Sequence, residues 1–386
     1  METAADLRIT DTAFGGYGVG RDNQGRVIFV YGAVEGDVCS AEITERKKNF
    51  AFAVITALKK PSPLRIKPVC PKAGKCGGCS FAHINYDAQI NIKLKILKNA
   101  FRKFPSLPEI NVHKSPDENY RIRASVKAKN GQIGFIGFKS DNFIPVKSCP
   151  VINKSLFGKI KEFAEVNNIT GEIKAIETPS GAALAWLKAD SGIKDRCSFD
   201  GVSFNGNISG LAHTAYDTPF GPVGAGCGTF FQGNGFLIDE FQNRAVSLVP
   251  DMLSVTELYA GSGFFTCGLV SDRREVKAVE FDKISSSIGK QYGYPIVQGD
   301  SGEFLRKIKS TDCIFLDPPR EGADKIVINE ILRLKPLYIV YVSCDPQTLA
   351  RDVAKLSDIY KICSIDFFDM FPNTYHVETV VLLKRG

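Results

Sequence analysis

From residue 6 to about residue 60, apolar and polar positions alternate in short runs, as in "GRVIFVYGAVEGDVCSAEI" and "NFAFAVITAL", with Gly and Asp between them. Successive strand side chains point to opposite faces, so this pattern predicts a small all-β barrel with one buried face. The loop "AFGGYGVGR" (Ala13 to Arg21) does not fit G-x-G-x-x-G and no helix-period run follows it, so it reads as a β-turn. The period then lengthens. In "YDAQINIKLKILKNAFRKF", Ile90, Leu94, Ile96, Leu97 and Phe101 recur at helical spacing. That predicts a helix over 86–104 with one buried face and its Lys and Arg residues turned to water or RNA. Residues 118 to about 228 return to a β-rich pattern, with a hairpin at Asn130-Gly131 inside "YRIRASVKAKNGQIGFIGF".

From about residue 229 the runs "SVTELYA", "VKAVEF", "YPIVQGD", "CIFLDPP" and "LYIVYVSC" alternate with helix-like stretches, the signature of a doubly wound parallel sheet. The last two runs, "YKICSIDFFDMF" and "VETVVLLKRG", have no helix between them and read as an antiparallel hairpin closing that sheet. The expected organisation is a barrel over 1–62, a β-rich central domain over 63–228, and an α/β domain over 229–386. Helix 86–104 is available to pack on the last.

Composition narrows the function classes. At 386 residues, 44% hydrophobic and 24% charged, the chain reads as a globular protein of two or three domains. It has no apolar run of ~18 residues and its first residues lack a signal-peptide pattern, which predicts a cytoplasmic protein with no membrane span. In that compartment the 11 cysteines are thiols, ligands or catalysts rather than disulfides. The net charge of +7 suits a polyanionic partner. Arg21, Arg46, Lys47, Lys48, Lys59 and Lys60 put part of that charge on the barrel, a common nucleic-acid platform.

Candidate chemistry gathers at the predicted strand ends, where doubly wound sheets bind ligands. "ELYAGSGFFT" supplies Gly261 and Gly263 at a strand-to-helix turn, the next strand ends in Glu280, and the third ends near Asp300. That set predicts a nucleoside-containing cofactor. Thr266 stands at the third glycine position, which favours S-adenosylmethionine over a pyrophosphate-bearing dinucleotide. "FLDPPREG" projects Asp317 into the same pocket, with a helix cap as its structural alternative. "VSCDP" puts Cys344 at the edge as well. A following helix would lower its thiol pKa and Asp345 would raise it. Period-2 alternation would send His376 and Glu378 to one face. Cys70, Cys76 and Cys79 are spaced C-x5-C-x2-C among glycines, and with Cys149 they make four thiolates that suit zinc or a [4Fe-4S] cluster. Cys39, Cys197, Cys227, Cys267, Cys313 and Cys363 read as core or incidental thiols.

Together "FFQGN", "ELYAGSGFFT", "FLDPPREG", "SCDPQTLARD" and "FPNTYHVETVVLL" resemble the RNA uracil-C5 methyltransferases along the whole chain. The resemblance implies an OB-like TRAM barrel that binds RNA, a central domain holding [4Fe-4S] on Cys70, Cys76, Cys79 and Cys149, and a Rossmann-like catalytic domain closed by an antiparallel hairpin. It implies Cys344 as nucleophile and Glu378 as base. It also implies S-adenosylmethionine contacts from Gln232, Tyr259, Phe264, Glu280, Asp300 and Asp317. Phe264 stands where the family commonly has Asn. The chemistry requires such a pair. Uracil C5 is a poor nucleophile until a thiolate adds to C6, and the C5 proton must leave before the thiolate can. The expected substrate is 23S ribosomal RNA, with the tRNA T-loop uridine as alternative and a non-enzymatic cluster-holding RNA-binding protein as the other class. The chain is expected to act as a monomer.

Overall fold

The computed structural model describes residues 3–189, 192–251 and 253–386. They fall into two compact units. The first takes residues up to Asn99 with Phe135–Val146 and Phe371–His376, and the second takes the rest.

The first unit opens with β1 (Thr3–Arg8), β2 (Asp11–Ala13), β3 (Tyr17–Arg21), β4 (Val27–Tyr31), β5 (Val38–Arg46) and β6 (Phe50–Lys60), in sheet order β1-β5-β6-β4-β3-β2. The predicted alternation is met: Ile28, Val30, Ala51 and Ala53 enter a core with Leu7, Ile9 and Cys39. Of "AFGGYGVGR" only residues 14–16 are the turn, between β2 and β3, with Gly16 N donating to Ala13 O at 3.1 Å; Tyr17–Arg21 is β3 itself. Asp37 is fully buried. Burial alone would raise its pKa, but hydrogen bonds from Arg65, Val34 and Ser62 hold it below the usual carboxylate range. That carboxylate ties the sheet to the segment that leaves it.

Helix α1 (Tyr86–Ala100) ends four residues earlier than its pattern predicts. Its charge distribution also departs from expectation. Lys93 is fully buried and donates through Nζ to Phe371 O at 3.0 Å, so it faces neither water nor RNA. Lys95 is held by Asp11 at 2.9 Å and Glu35 at 3.1 Å.

The second unit begins with β7 (Ile110–His113) and the hairpin β8 (Arg123–Lys129)–β9 (Gln132–Ile136), turned at Asn130-Gly131 as predicted. The chain then passes through β10 (Phe143–Pro145), in the first unit's share, and returns as α2 (Lys154–Val166). The β-rich reading misses this helix. Asn153 caps it through bonds from Ser155 N and Leu156 N, and Leu156, Phe157, Ile160 and Phe163 are buried. β11 (Gly171–Glu177), β12 (Ala183–Ala189), β13 (Gly201–Phe204) and β14 (Asn207–Gly210) extend the β8 sheet, and β15 (His213–Thr218) pairs with β16 (Gly221–Gly226).

The α/β layer follows: α3 (Ile238–Ser247), β17 (Ser254–Leu258), α4 (Thr266–Leu269), β18 (Glu275–Glu280), α5 (Lys283–Gln291), β19 (Ile296–Gln298), α6 (Ser301–Lys307), β20 (Cys313–Leu316), α7 (Lys325–Leu334), β21 (Tyr338–Ser343), α8 (Pro346–Leu356), β22 (Tyr360–Phe368) and β23 (Glu378–Arg385). Sheet order is β19-β18-β17-β20-β21-β23-β22-β7. Strand β23 inserts antiparallel between β21 and β22, so the expected antiparallel hairpin is present, but β7 pairs parallel with β22 and takes the edge beyond it. The middle of the sheet is covered on both faces, which is why β20 is buried at every position. Four helices start on an aspartate cap: Asp282, Asp300, Asp324 and Asp345 each accept from an amide of the first turn. Among the described residues no helix is long and apolar enough to cross a membrane.

Candidate active site at the carboxyl edge of the sheet

Strand register levels the site residues. Leu258 of β17 pairs with Val279 of β18 and Leu316 of β20, so Tyr259, Glu280 and Asp317 are neighbours at the sheet edge. On the other side of β20, Ser343 of β21 pairs with Thr379 of β23. One step further along that antiparallel pair brings Cys344 opposite Glu378. Cross-strand neighbours have Cβ atoms ~5 Å apart, so thiol and carboxyl share one space.

The electrostatics fit that proximity. Burial pushes the Cys344 thiol up to about 12, with Glu378 and then Asp317 adding to the shift and Arg320 opposing it. Burial also raises Glu378 well above the ordinary range, with Asp317 next and Arg320 again opposing. Asp317 is raised by burial too. Two buried carboxyls and a thiol within mutual influence cannot all ionise at once. Asp345 does not set the thiol's pKa. It caps α8, with Gln347 N at 2.8 Å and Thr348 N at 3.0 Å, and Pro346 occupies the first helical turn. The cap reading of Asp317 also fails, because Asp324 caps α7 instead.

The loop carrying Asp317 is anchored from behind. Gly322 adopts φ 78°, and a Cβ there would meet Asp352 Oδ2 at 2.5 Å. Asp352 is fully buried and accepts from Ala323 N and Tyr341 Oη, both at 3.0 Å.

The glycine turn makes the other half of the site. Gly261 has φ 59° and open space where a Cβ would stand, while its N–H donates to Glu280 Oε2 at 2.8 Å. Asp282 N donates to Glu280 Oε1 at 2.7 Å. Both oxygens are thus fixed with lone pairs to spare for hydroxyl donors. Tyr259 also lies in the left-handed region, at φ 60°, and its electrostatic neighbours include Asp324 and Asp300. Asp300 is exposed and caps α6 through Glu303 N at 2.9 Å. The Phe264 ring is buried against Phe231, Phe241 and Phe265, so it offers a cofactor only an apolar edge. In "FFQGN", Gln232 is buried. Asn234 is structural: its Nδ2 donates to Ser115 Oγ at 2.9 Å and its Oδ1 accepts from Phe236 N at 3.0 Å.

Sequence reasoning missed two groups here. Glu257, buried in β17, accepts from Thr266 Oγ1 at 2.6 Å, and burial raises its pKa to about 8. An acid in the apolar run "SVTELYA" was the available signal. Arg320, inside the quoted "DPPREG", is the cation that acts on both Cys344 and Glu378. His376 does not share a strand face with Glu378, because β23 starts only at Glu378 and His376 belongs to the loop before it.

The cysteines named as ligands are in no disulfide and are of intermediate burial: Cys70, Cys76 and Cys79 in the first unit, Cys149 in the second. Gly78 N donates to Cys76 Sγ at 3.4 Å, and both Cys76 and Cys79 act on Tyr31. Among the described residues no group of three or more Cys, His, Asp or Glu side chains stands together as a metal site. Of the thiols read as core or incidental, Cys39, Cys227, Cys267 and Cys313 are buried and Cys363 is exposed.

Comparison with known proteins agrees with this architecture. Residues 5–56 match the TRAM domain, and residues 304–386 match the tRNA (Uracil-5-)-methyltransferase family. An uncharacterized RNA methyltransferase of Bdellovibrio bacteriovorus is 30% identical, with 98% of this chain and 94% of that protein covered. The 23S rRNA (uracil(1939)-C(5))-methyltransferase of Shewanella halifaxensis is 27% identical over 100% of this chain and 96% of its own. The crystal structure of Pyrococcus abyssi tRNA (uracil-54, C5)-methyltransferase with S-adenosyl-L-homocysteine superposes with a TM-score of 0.80 at 24% identity, covering 98% and 99% of the two chains. With a TRAM barrel ahead of a sheet that sets a strand-end cysteine against a buried glutamate, the chain belongs to the RNA uracil-C5 methyltransferase family.

Proposed function

We propose that this enzyme makes 5-methyluridine in 23S ribosomal RNA, with Cys344 as nucleophile and Glu378 as base. The observation that carries the mechanism is the β21–β23 register, which brings Cys344 and Glu378 to opposing positions at the open sheet edge. Cys344 adds through its sulfur to C6, and the C5=C6 pair becomes an enolate that makes C5 nucleophilic. S-adenosylmethionine, when bound, supplies the methyl group that C5 takes up. Glu378 then accepts the C5 proton, and the released electron pair re-forms C5=C6 and expels the thiolate. The raised pKa of Glu378 suits that step, since a carboxyl that holds a proton well is a stronger base when ionised.

Glu280, held by the Gly261 and Asp282 amides, is suited to ribose hydroxyls, and Tyr259 and Asp300 to the adenine side of the cofactor. Asp317 and Gln232 would line the space between cofactor and base. Residues 1–62 would hold RNA backbone, and the target uridine must be unstacked to reach a recessed thiol. The 23S substrate rests on the named Shewanella relative and on the barrel. The tRNA reading is kept because the chain is also similar to a tRNA enzyme in fold.

Cys70, Cys76, Cys79 and Cys149 are assigned to a [4Fe-4S] cluster with a structural role. Their spacing supports this, as do the intermediate burial of all four and the hydrogen bond from Gly78 N to the Cys76 sulfur. Anaerobically purified protein should then carry about four irons per chain. Stoichiometric zinc without iron rejects the assignment.

The test of function is methyl transfer from labelled S-adenosylmethionine to 23S fragments and to tRNA transcripts. Label in 5-methyluridine of 23S RNA is expected. Label in tRNA alone would select the second substrate. RNA carrying 5-fluorouridine at the target should trap a covalent adduct, and an adduct that persists in Cys344→Ala would reject the nucleophile.

A further inference from the structure

The base does not stand alone on its strand. Two residues before Glu378 ends the loop Phe371–His376, which belongs to the first compact unit. Asn373 N donates to Gln89 Oε1 at 2.8 Å, and Gln89 Nε2 donates back to Asn373 Oδ1 at 3.1 Å. Gln89 Nε2 also reaches Ile84 O at 2.9 Å. One helical turn on, Lys93 Nζ donates to Phe371 O at 3.0 Å. The loop is gripped from its other side by Ser80 and Phe81: Tyr375 N donates to Ser80 Oγ at 3.1 Å and Phe81 N to Asn373 O at 2.9 Å. Tyr375 packs edge-on against Phe14 at 5.3 Å.

Gln89 is 1% exposed and Lys93 0%. A buried amide and a buried ammonium are costly on the inner face of a helix unless each is hydrogen-bonded. Here both bond to the same six-residue loop, and Gln89 also holds Ile84 O and Phe81 O just before the helix. Asn373 takes φ 64°, a left-handed turn that Asn tolerates and that the reciprocal amide pair holds in place.

We propose that Gln89 and Lys93 are positioning residues for removal of the C5 proton. They fix the loop whose last residue is separated from Glu378 only by the buried Val377, and so fix where the carboxyl sits relative to C5. This rests on the reading of Glu378 as base. Addition of Cys344 does not use the clamp, because Cys344 is carried by β21 and α8. The clamp therefore acts on one step. The proton passes from C5 to the Glu378 carboxylate, the C5–H pair re-forms C5=C6, and the thiolate leaves. Ser80 follows Cys79 directly, so the cysteine turn is one residue from the same grip.

The experiment compares wild type with Gln89→Met, Lys93→Met, Asn373→Gly and Glu378→Gln, each screened by thermal unfolding. Asn373→Gly keeps the left-handed backbone and removes only the side chain, so it serves if a helix variant fails to fold. Misplacing a catalytic group by ~1 Å costs about 100-fold, so turnover on natural RNA should fall about 10- to 100-fold in Gln89→Met. Covalent protein–RNA adduct should accumulate at the same time. Adduct formation with 5-fluorouridine RNA, RNA affinity and S-adenosylmethionine affinity should stay within about twofold. Combined with Glu378→Gln, the Gln89→Met change should add little, because both act on one step. If Glu378→Gln accumulates adduct and the clamp variants turn over normally, the clamp is overturned and the base stands. If the clamp variants lose adduct formation or cofactor affinity instead, the clamp is overturned as well. If Glu378→Gln turns over normally, base and clamp fall together.

Discussion

The acidity of Cys344 is the sharpest test of the site's electrostatics. Burial is the largest cause of its rise from 9.0 to about 12, and Glu378 is the next. At pH 9 only about one Cys344 in a thousand is then ionised. Replacing Glu378 by Gln removes one negative charge ~5–6 Å from the sulfur and leaves the shape of the site intact. At an effective dielectric constant of ~20, two unit charges at that distance repel by roughly 3 kcal/mol, about two pK units. Cys344 is only half-buried, so solvent screening brings the expected fall to about one to two units. The assay is alkylation of Cys344 by iodoacetamide across pH 7 to 10.5, read on the Cys344 peptide by mass spectrometry. At pH 9, Glu378→Gln should react about 10- to 100-fold faster than wild type. Its midpoint should still lie above 9, because the burial contribution remains. Asp317→Asn should act in the same direction and less. An unchanged or slower reaction in Glu378→Gln, or a larger effect from Asp317→Asn, would refute the placement of Glu378 as the thiol's nearest charge.

Three further outcomes follow from other parts of the molecule. Glu257 has its pKa raised to about 8 by burial, so the folded state binds its proton more tightly than the unfolded chain. Its contribution is present at low pH and lost as pH rises from ~4.5 through ~8, so wild type should lose a few kcal/mol of urea stability over that window relative to Glu257→Gln. A parallel pH dependence in the two proteins would contradict this. Gly322→Ala should destabilise by about 2–4 kcal/mol, since it strains a left-handed residue and drives a methyl into Asp352, which holds Ala323 and Tyr341. Equilibrium urea unfolding measures it, and a loss under ~0.5 kcal/mol would be incompatible with the packing. Lys47→Gln with Lys48→Gln, at the exposed β5–β6 turn, should reduce the salt slope of RNA binding by up to about 1.4 and leave S-adenosylmethionine affinity unchanged. An unaltered slope would remove that turn from the RNA surface.

Much of this enzyme was legible without coordinates wherever the deciding physics is local. Period-2 alternation fixed which faces of β4 and β6 are inside, because a strand's side chains can only alternate. Asn130-Gly131 fixed a hairpin turn, since both positions need positive φ and these residue types supply it. A cysteine and an aspartate directly after apolar runs were placed at the ligand edge because parallel strands end there. What sequence could not supply is whatever depends on which distant segments pair. Lys93 looked like a solvent-facing cation by spacing, and it is buried because a loop almost 280 residues later presents Phe371 O to it. His376 and Glu378 looked like partners by alternation, and the strand begins too late for that. Asp345 looked like a charge acting on the thiol, and its carboxylate instead caps a helix, with Oδ1 accepting from two amides of the first turn. Above all, Cys344 and Glu378 lie 34 positions apart in the chain, and nothing local relates them. They meet because β23 enters the sheet antiparallel between β21 and β22, and only that pairing brings the start of one strand to the end of another.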